Sequence, residues 1–206
     1  VSLYNENAKG AIYPTPVVGM IGLVHDTDHI TTQGFKQADD IVLLLGETKA
    51  ELGGSEFQTV VHGVTEGRPP VLDLAAEENL PRAVLAAIQA GNVQSAHDLS
   101  EGGLAGAFAV SCISGSIGAS AELTAEGLRA DIALFSESQS RILLSVRPEH
   151  ADEVLQVCAQ YEVPVQRLGV VGGDRIQLGV NGQAAIDITR EAVERVWKDA
   201  IQCLMR

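Results

Sequence analysis

The stretch that begins at Pro148 constrains the fold most. A proline at that point suits the first residue of a helix, where its missing N–H has no intrahelical partner to lose. Ala151, Val154, Leu155 and Cys158 then line one face of that helix. Three strand-length apolar runs follow, at 165–171, 176–180 and 184–188, separated by Gly172-Gly173-Asp174 and by Asn181-Gly182. An Asn-Gly pair between two such runs favours the tight turn of a β-hairpin. At least one antiparallel pair is therefore expected. A closing helix carries Ala192, Val193, Val196, Trp197, Ala200, Ile201 and Leu204 at helical spacing, a face suited to packing across a sheet. Helices between strands, with a hairpin among them, predict an α/β (α+β-like) domain: a mixed β-sheet with flanking helices rather than a purely parallel one.

The rest of the chain supplies further elements. Strands are expected at 17–24, 41–45, 93–97, 119–123 and 142–146. Asp73 is placed to cap a helix bearing Leu80, Val84, Ala87 and Ile88, which Gly91-Asn92 ends. Gly102-Gly103 opens a second helix with Leu104, Ala105, Phe108, Ala109, Cys112 and Ile113 as its apolar stripe, and 55–62 reads as a short helix capped by Ser55. Residues 1–16 are expected to be the tail of a preceding domain and a stiff linker through Pro14-Thr15-Pro16; 17–206 is expected to be one domain. The opening Val1-Ser2-Leu3-Tyr4 has no methionine, and the chain is expected to be an excised piece of a longer one.

Charge excludes some partners. Lys+Arg 14 against Asp+Glu 27 gives a net charge of −13, so neither nucleic acid nor an anionic membrane is an expected partner. No run approaches the roughly 18 apolar residues of a membrane span. Cys112, Cys158 and Cys203 are odd in number and far apart, which suits buried thiols in a reducing cytoplasm better than disulfides, a zinc site or a nucleophile. His25 and His29 have no third ligand beside them and read as surface residues.

Four segments place polar or glycine residues where a scaffold does not require them. Val1-Ser2-Leu3-Tyr4-Asn5-Glu6 alternates polar and apolar side chains. Leu52-Gly53-Gly54-Ser55-Glu56 can turn backbone N–H groups toward an anion, or be an ordinary turn and cap. Ala96-His97-Asp98-Leu99-Ser100-Glu101-Gly102-Gly103-Leu104 ends a strand in carboxylates before a glycine-led helix. That is where α/β proteins open a crevice, and Asp98 or Glu101 can hold hydrated Mg²⁺; equally, Asp98 and Ser100 can cap the helix. Leu134-Phe135-Ser136-Glu137-Ser138-Gln139-Ser140-Arg141 can present oriented hydrogen bonds to a ligand, or be a solvated loop with a local Glu–Arg pair.

In order, and with Pro14-Thr15-Pro16-Val17-Val18-Gly19-Met20-Ile21-Gly22, these segments resemble the small, synthetase-type form of phosphoribosylformylglycinamidine synthase over essentially the whole chain. The resemblance implies the C-terminal domain of that enzyme's second repeat, in the C-terminal domain fold of the aminoimidazole ribonucleotide synthetase superfamily. It also implies a ligase reaction: formylglycinamide ribonucleotide, ATP and ammonia give the amidine, ADP and phosphate. The ammonia is drawn from a glutaminase subunit through a small bridging subunit. ATP and Mg²⁺ are then needed by the parent enzyme, and none is expected on this piece alone. The family's catalytic histidine, ATP lysine and main Mg²⁺ carboxylates have no counterpart here, so no catalytic or metal residue is assigned. Ser2 matches the last residue of a Gly-Asn-Val-Ser stretch at the substrate site; the glycine and asparagine are absent. Asp98, Glu137, Ser138 and Gln139 match residues of the first repeat and are candidates for a related, non-catalytic pseudo-site. A nucleotide- or phosphate-binding module and a purely structural assembly module remain the alternatives.

Overall fold

A computed structural model describes residues 4–8, 10–12 and 15–204, with side chains through residue 200. It divides into two compact units, Val1–Ile30 and Thr31–Arg206.

In the first unit, β1 (Asn5–Asn7) pairs antiparallel with β2 (Gly10–Ile12), Asn5 opposite Ile12. This hairpin was not expected, because Asn5-Glu6-Asn7 is polar throughout and Gly10-Ala11-Ile12 is too short to show a period. The strand expected at 17–24 does not form. Those residues have no regular structure, and Val17 and Ile21 are 97% and 102% exposed. The run is apolar on both of the faces a strand would present, so it needs sheet neighbours and cover on each face; the described residues of this unit provide neither. A single 3₁₀ turn, Thr27–His29, is capped by Asp26, whose Oδ1 accepts from the Asp28 N–H at 2.9 Å.

The second unit is built on β3 (Ile41–Leu45), buried at all five positions. Asp73 accepts from the N–H groups of Ala75 and Ala76 and starts α1 (Leu74–Gln89), as expected. There follow β4 (Ser95–Asp98), α2 (Gly103–Gly115), β5 (Ala119–Leu123), α3 (Ala130–Phe135), β6 (Ile142–Val146), α4 (Ala151–Gln160), β7 (Val165–Val171), β8 (Arg175–Val180), β9 (Gln183–Thr189) and α5 (Arg190–Leu204). The strands form one mixed sheet in the order β4-β6-β3-β7-β5-β8-β9. All neighbours are antiparallel except the parallel pair β5–β8.

The continuous apolar run of β3 follows from its central place. Ile41, Leu43 and Leu45 face a core with Leu80, Val84 and Val154 of α1 and α4; Val42 and Leu44 face a second core with Leu104, Phe108 and Leu134 of α2 and α3. Each face of the strand is thus covered by helices, which is what a strand without alternation requires.

Two expectations need correction. The segment 55–62 is helical but turns wider than an α-helix, with a π-helical stretch at Gln58–His62. On α5, Val193 packs on the core, but Val196 and Trp197 are exposed, so the expected full-length packing face is not used among the described side chains. The short α3 was not expected, since six residues hold less than two helical turns of pattern.

Candidate functional site

The carboxyl end of β4 feeds a turn, 99–102, that leads into α2. Gly102 is the helix N-cap in left-handed conformation (φ 79°) and makes no side-chain cap of its own. Gly103 follows at φ 59°, and a Cβ there would lie 2.3 Å from the carbonyl oxygen of Ser136. Glycine at 103 is what allows the helix start to lie directly on the turn between α3 and β6.

That turn, 136–141, is not a solvated loop. Ser136, Ser138 and Arg141 are buried. The Ser136 and Ser138 hydroxyls accept from the N–H groups of Glu51 (3.2 Å) and Lys49 (3.1 Å), and the Glu137 N–H donates to the Glu51 carbonyl at 3.2 Å. The Arg141 guanidinium donates to the carbonyls of Ser138 and Ser136 and to the Thr48 hydroxyl. Burial pulls its pKa down to about 10, against the opposing pull of Glu51 and Glu137. It therefore remains a cation at neutral pH, with its donors aimed into the protein.

Glu137 is the centre of the arrangement. Its Oε1 accepts from two backbone N–H groups at 2.9 Å each, that of Glu56 in the glycine loop and that of Gly102 at the start of α2. The helix is therefore capped by a residue 35 positions away, and the alternative of capping by Asp98 and Ser100 does not hold. The glycine loop also turns inward: the Gly54 N–H donates to the Glu66 carbonyl and to Gln58 Oε1.

Between α1, the β4–α2 turn and the 136–141 turn lies a crevice of about 380 Å³, bordered by Glu77, Asp98, Glu101, Glu137, Gln139 and Arg141. Three of the candidates, Asp98, Glu137 and Gln139, meet here. The Asp98 side chain is 77% exposed. The Gln139 amide donates to the Glu137 carbonyl at 3.3 Å. Ser138 is buried behind the wall, its hydroxyl bonded to the Lys49 backbone. Ser2 lies outside the described residues. Glu77, whose Oε2 accepts from the Ser140 hydroxyl at 2.6 Å, belongs to the crevice but has no local sequence signal. Thr48 and Glu51 do not border the crevice but meet the 136–141 turn from 93 and 85 residues away, and they too have no local sequence signal.

Four carboxylates border the crevice, and the one cation among its lining residues, Arg141, is buried with each of its three nitrogens donating to the protein. Its electrostatics oppose a free phosphate. Among the described residues no three His, Cys, Asp or Glu side chains stand together to hold a metal ion. Burial pushes the thiol of Cys112 up to about 12 and that of Cys158 up to about 11, so neither is a nucleophile at neutral pH. No described helix is long and apolar enough to cross a membrane.

Residues 37–181 match the family model "AIR synthase related protein, C-terminal domain". The chain is 49% identical over 205 residues to a phosphoribosylformylglycinamidine synthase subunit PurL of Alkaliphilus metalliredigens, covering all of this chain and 28% of that protein. It is 44% identical over 205 residues to the subunit of the same name from Moorella thermoacetica, again over 28% of its length. The chain thus spans less than a third of the curated relatives it matches. Among solved structures, T. maritima PurL complexed with FGAR superposes with a TM-score of 0.73 at 20% identity, over 82% of this chain and 30% of that one. A thiamine-monophosphate kinase from Stenotrophomonas maltophilia gives 0.50 at 17% identity, over 75% and 54%. These last likenesses concern the fold, a mixed sheet flanked by helices. On its fold, its ordered motifs and the family match over 37–181, the chain belongs to the AIR synthase related protein family, as its C-terminal domain.

Proposed function

We propose that this chain serves as a C-terminal domain of phosphoribosylformylglycinamidine synthase, the ligase that converts formylglycinamide ribonucleotide, ATP and ammonia to the amidine, ADP and phosphate. The observation that carries this reading is identity near one half over the whole chain to synthase subunits that are more than three times as long. The domain works in the cytoplasm and contributes shape and inter-domain surface, with Ser2 at the substrate site. Asp98, Glu137, Ser138 and Gln139 form a non-catalytic pseudo-site. The reacting groups, the ATP and the Mg²⁺ are held by other parts of the synthase; the glutaminase and the small bridging subunit deliver the ammonia. The solved structures of T. maritima PurLQS and of T. maritima PurL complexed with ATP support the reading that the parent enzyme binds ATP and works with further subunits.

The test is a chimera. Replacing the matched 205 residues of the A. metalliredigens subunit by this chain is expected to leave ATP- and substrate-dependent ADP release within about tenfold of the parent, roughly a 1.4 kcal/mol change in barrier. The 206-residue chain alone is expected to release no ADP. A folded but inactive chimera, or turnover by the chain alone, would overturn the reading.

A structural assembly role is a second reading, and one observation favours it. Val17, Val18, Met20, Ile21, Leu23 and Val24 are all at least 66% exposed. Such a run marks a contact surface in a domain that works beside others.

A further inference from the structure

Glycine-led helix starts commonly receive an anion, because the first N–H groups of a helix lack partners and carry the positive end of its dipole. In this domain that position is filled from within. The Glu137 carboxylate takes the Gly102 N–H and, through the same oxygen, the Glu56 N–H of the glycine loop. Its own backbone is fixed on both sides. Ser136 and Ser138 are buried and bonded to Glu51 and Lys49, and Arg141 clamps both their carbonyls. The carboxylate therefore ties three segments together: the loop at 48–56, the start of α2, and the turn between α3 and β6.

We infer that Glu137 is the resident anion of this crevice: a positioning residue that latches the glycine loop onto α2 and occupies the two amides a phosphate would otherwise take. Three features converge on this. The two bonds, each 2.9 Å, share one acceptor oxygen, so a competing anion has to displace the side chain. The neighbouring groups Glu77, Asp98 and Glu101 are acidic and repel such a competitor. The Arg141 guanidinium, the group that would recruit it, is buried and committed to carbonyls. This deepens the reading of the crevice as a pseudo-site, because it gives the chemical reason that a related pocket would not bind phosphate here.

The experiment is residue-resolved amide exchange and chemical-shift mapping on the 206-residue chain, with inorganic phosphate as the probe. In Glu137→Ala the amides of Glu56 and Gly102 are expected to exchange at least tenfold faster, while those of β6 keep their protection. Millimolar phosphate is expected to move these two resonances in Glu137→Ala and to leave them unmoved in the unaltered chain. Glu137→Gln keeps an oxygen acceptor, so it is expected to retain protection at both amides. The loss of charge is expected to shift both amide protons in the same direction, which keeps the inference testable if the alanine variant does not fold. It is overturned if Glu137→Ala retains protection at both amides, or if phosphate shifts them in the unaltered chain. It is also overturned if phosphate leaves the alanine variant unmoved, or if the glutamine variant shifts neither proton. None of these outcomes bears on the chimera's activity, so failure here and failure of the synthase reading are distinguishable.

Discussion

Asp40, which leads into strand β3, is fully buried; neither carboxylate oxygen has a donor in good hydrogen-bond geometry, and only the side chain and backbone N–H of Gln37 reach it weakly. Burial raises its pKa; nearby Gln37 and Arg147 pull the other way, and Glu149 adds to the rise. A carboxyl that holds its proton more tightly when folded makes the folded state bind more protons than the unfolded one. Its contribution to stability is therefore full below the ordinary carboxylate range and is lost as pH rises through the elevated value. Asp40→Asn is expected to raise stability at neutral pH by on the order of 1 kcal/mol. The gain should shrink toward zero as the pH falls below the unfolded carboxylate range. Thermal melts of both chains across that range check it; an equal gain at every pH would refute the assignment. Nothing in the local sequence marks this residue, because Asp39-Asp40 before an apolar run reads as an ordinary polar strand entry. The burial comes from the chain folded around it.

The elements that hold the crevice divide along the same line. The glycines before α2, the Asp73 cap and the apolar stripes of α1, α2 and α4 follow from local sequence, since each is a relation among residues a turn apart. The 136–141 turn does not. Its alternation of serine, glutamate and glutamine has the look of solvent-facing chain, yet its serines are buried against 49–51 and its arginine is spent on carbonyls. The close approach of α2 to this turn gives a prediction at the scale of the element. Gly103→Ala combines a left-handed backbone with a Cβ 2.3 Å from the Ser136 oxygen, and is expected to cost at least about 2 kcal/mol. Gly91→Ala, also left-handed but facing open space, is expected to cost only about 1 kcal/mol. Urea denaturation of the two variants separates strain from collision; equal midpoints would show that the contact with the turn carries no energy.

For the molecule as a whole, the unpaired run at 17–24 has the largest consequence. Each of its six large apolar side chains would gain about 1.5–3 kcal/mol on full burial. The chain alone is therefore expected to self-associate as its concentration rises, and Val18→Asp with Ile21→Asp is expected to reduce that association. Sedimentation velocity over a wide concentration range checks this, and a strict monomer throughout would refute it. Taken by itself, the order of amino acids determined most element types from β3 onward (the short α3 and the π-helical turns at 58–62 excepted), the mixed character of the sheet and the glycine-led start of α2. These depend on spacing within a few residues, where side-chain periodicity and backbone preference act directly. Tertiary structure alone decided which strands are neighbours, that 17–24 forms no strand among the described residues of its unit, and that the Glu137 carboxylate closes on Glu56 and Gly102. Those outcomes join groups 35 and 81 residues apart, and no local preference encodes a contact whose two halves are brought together only by packing two cores around one sheet.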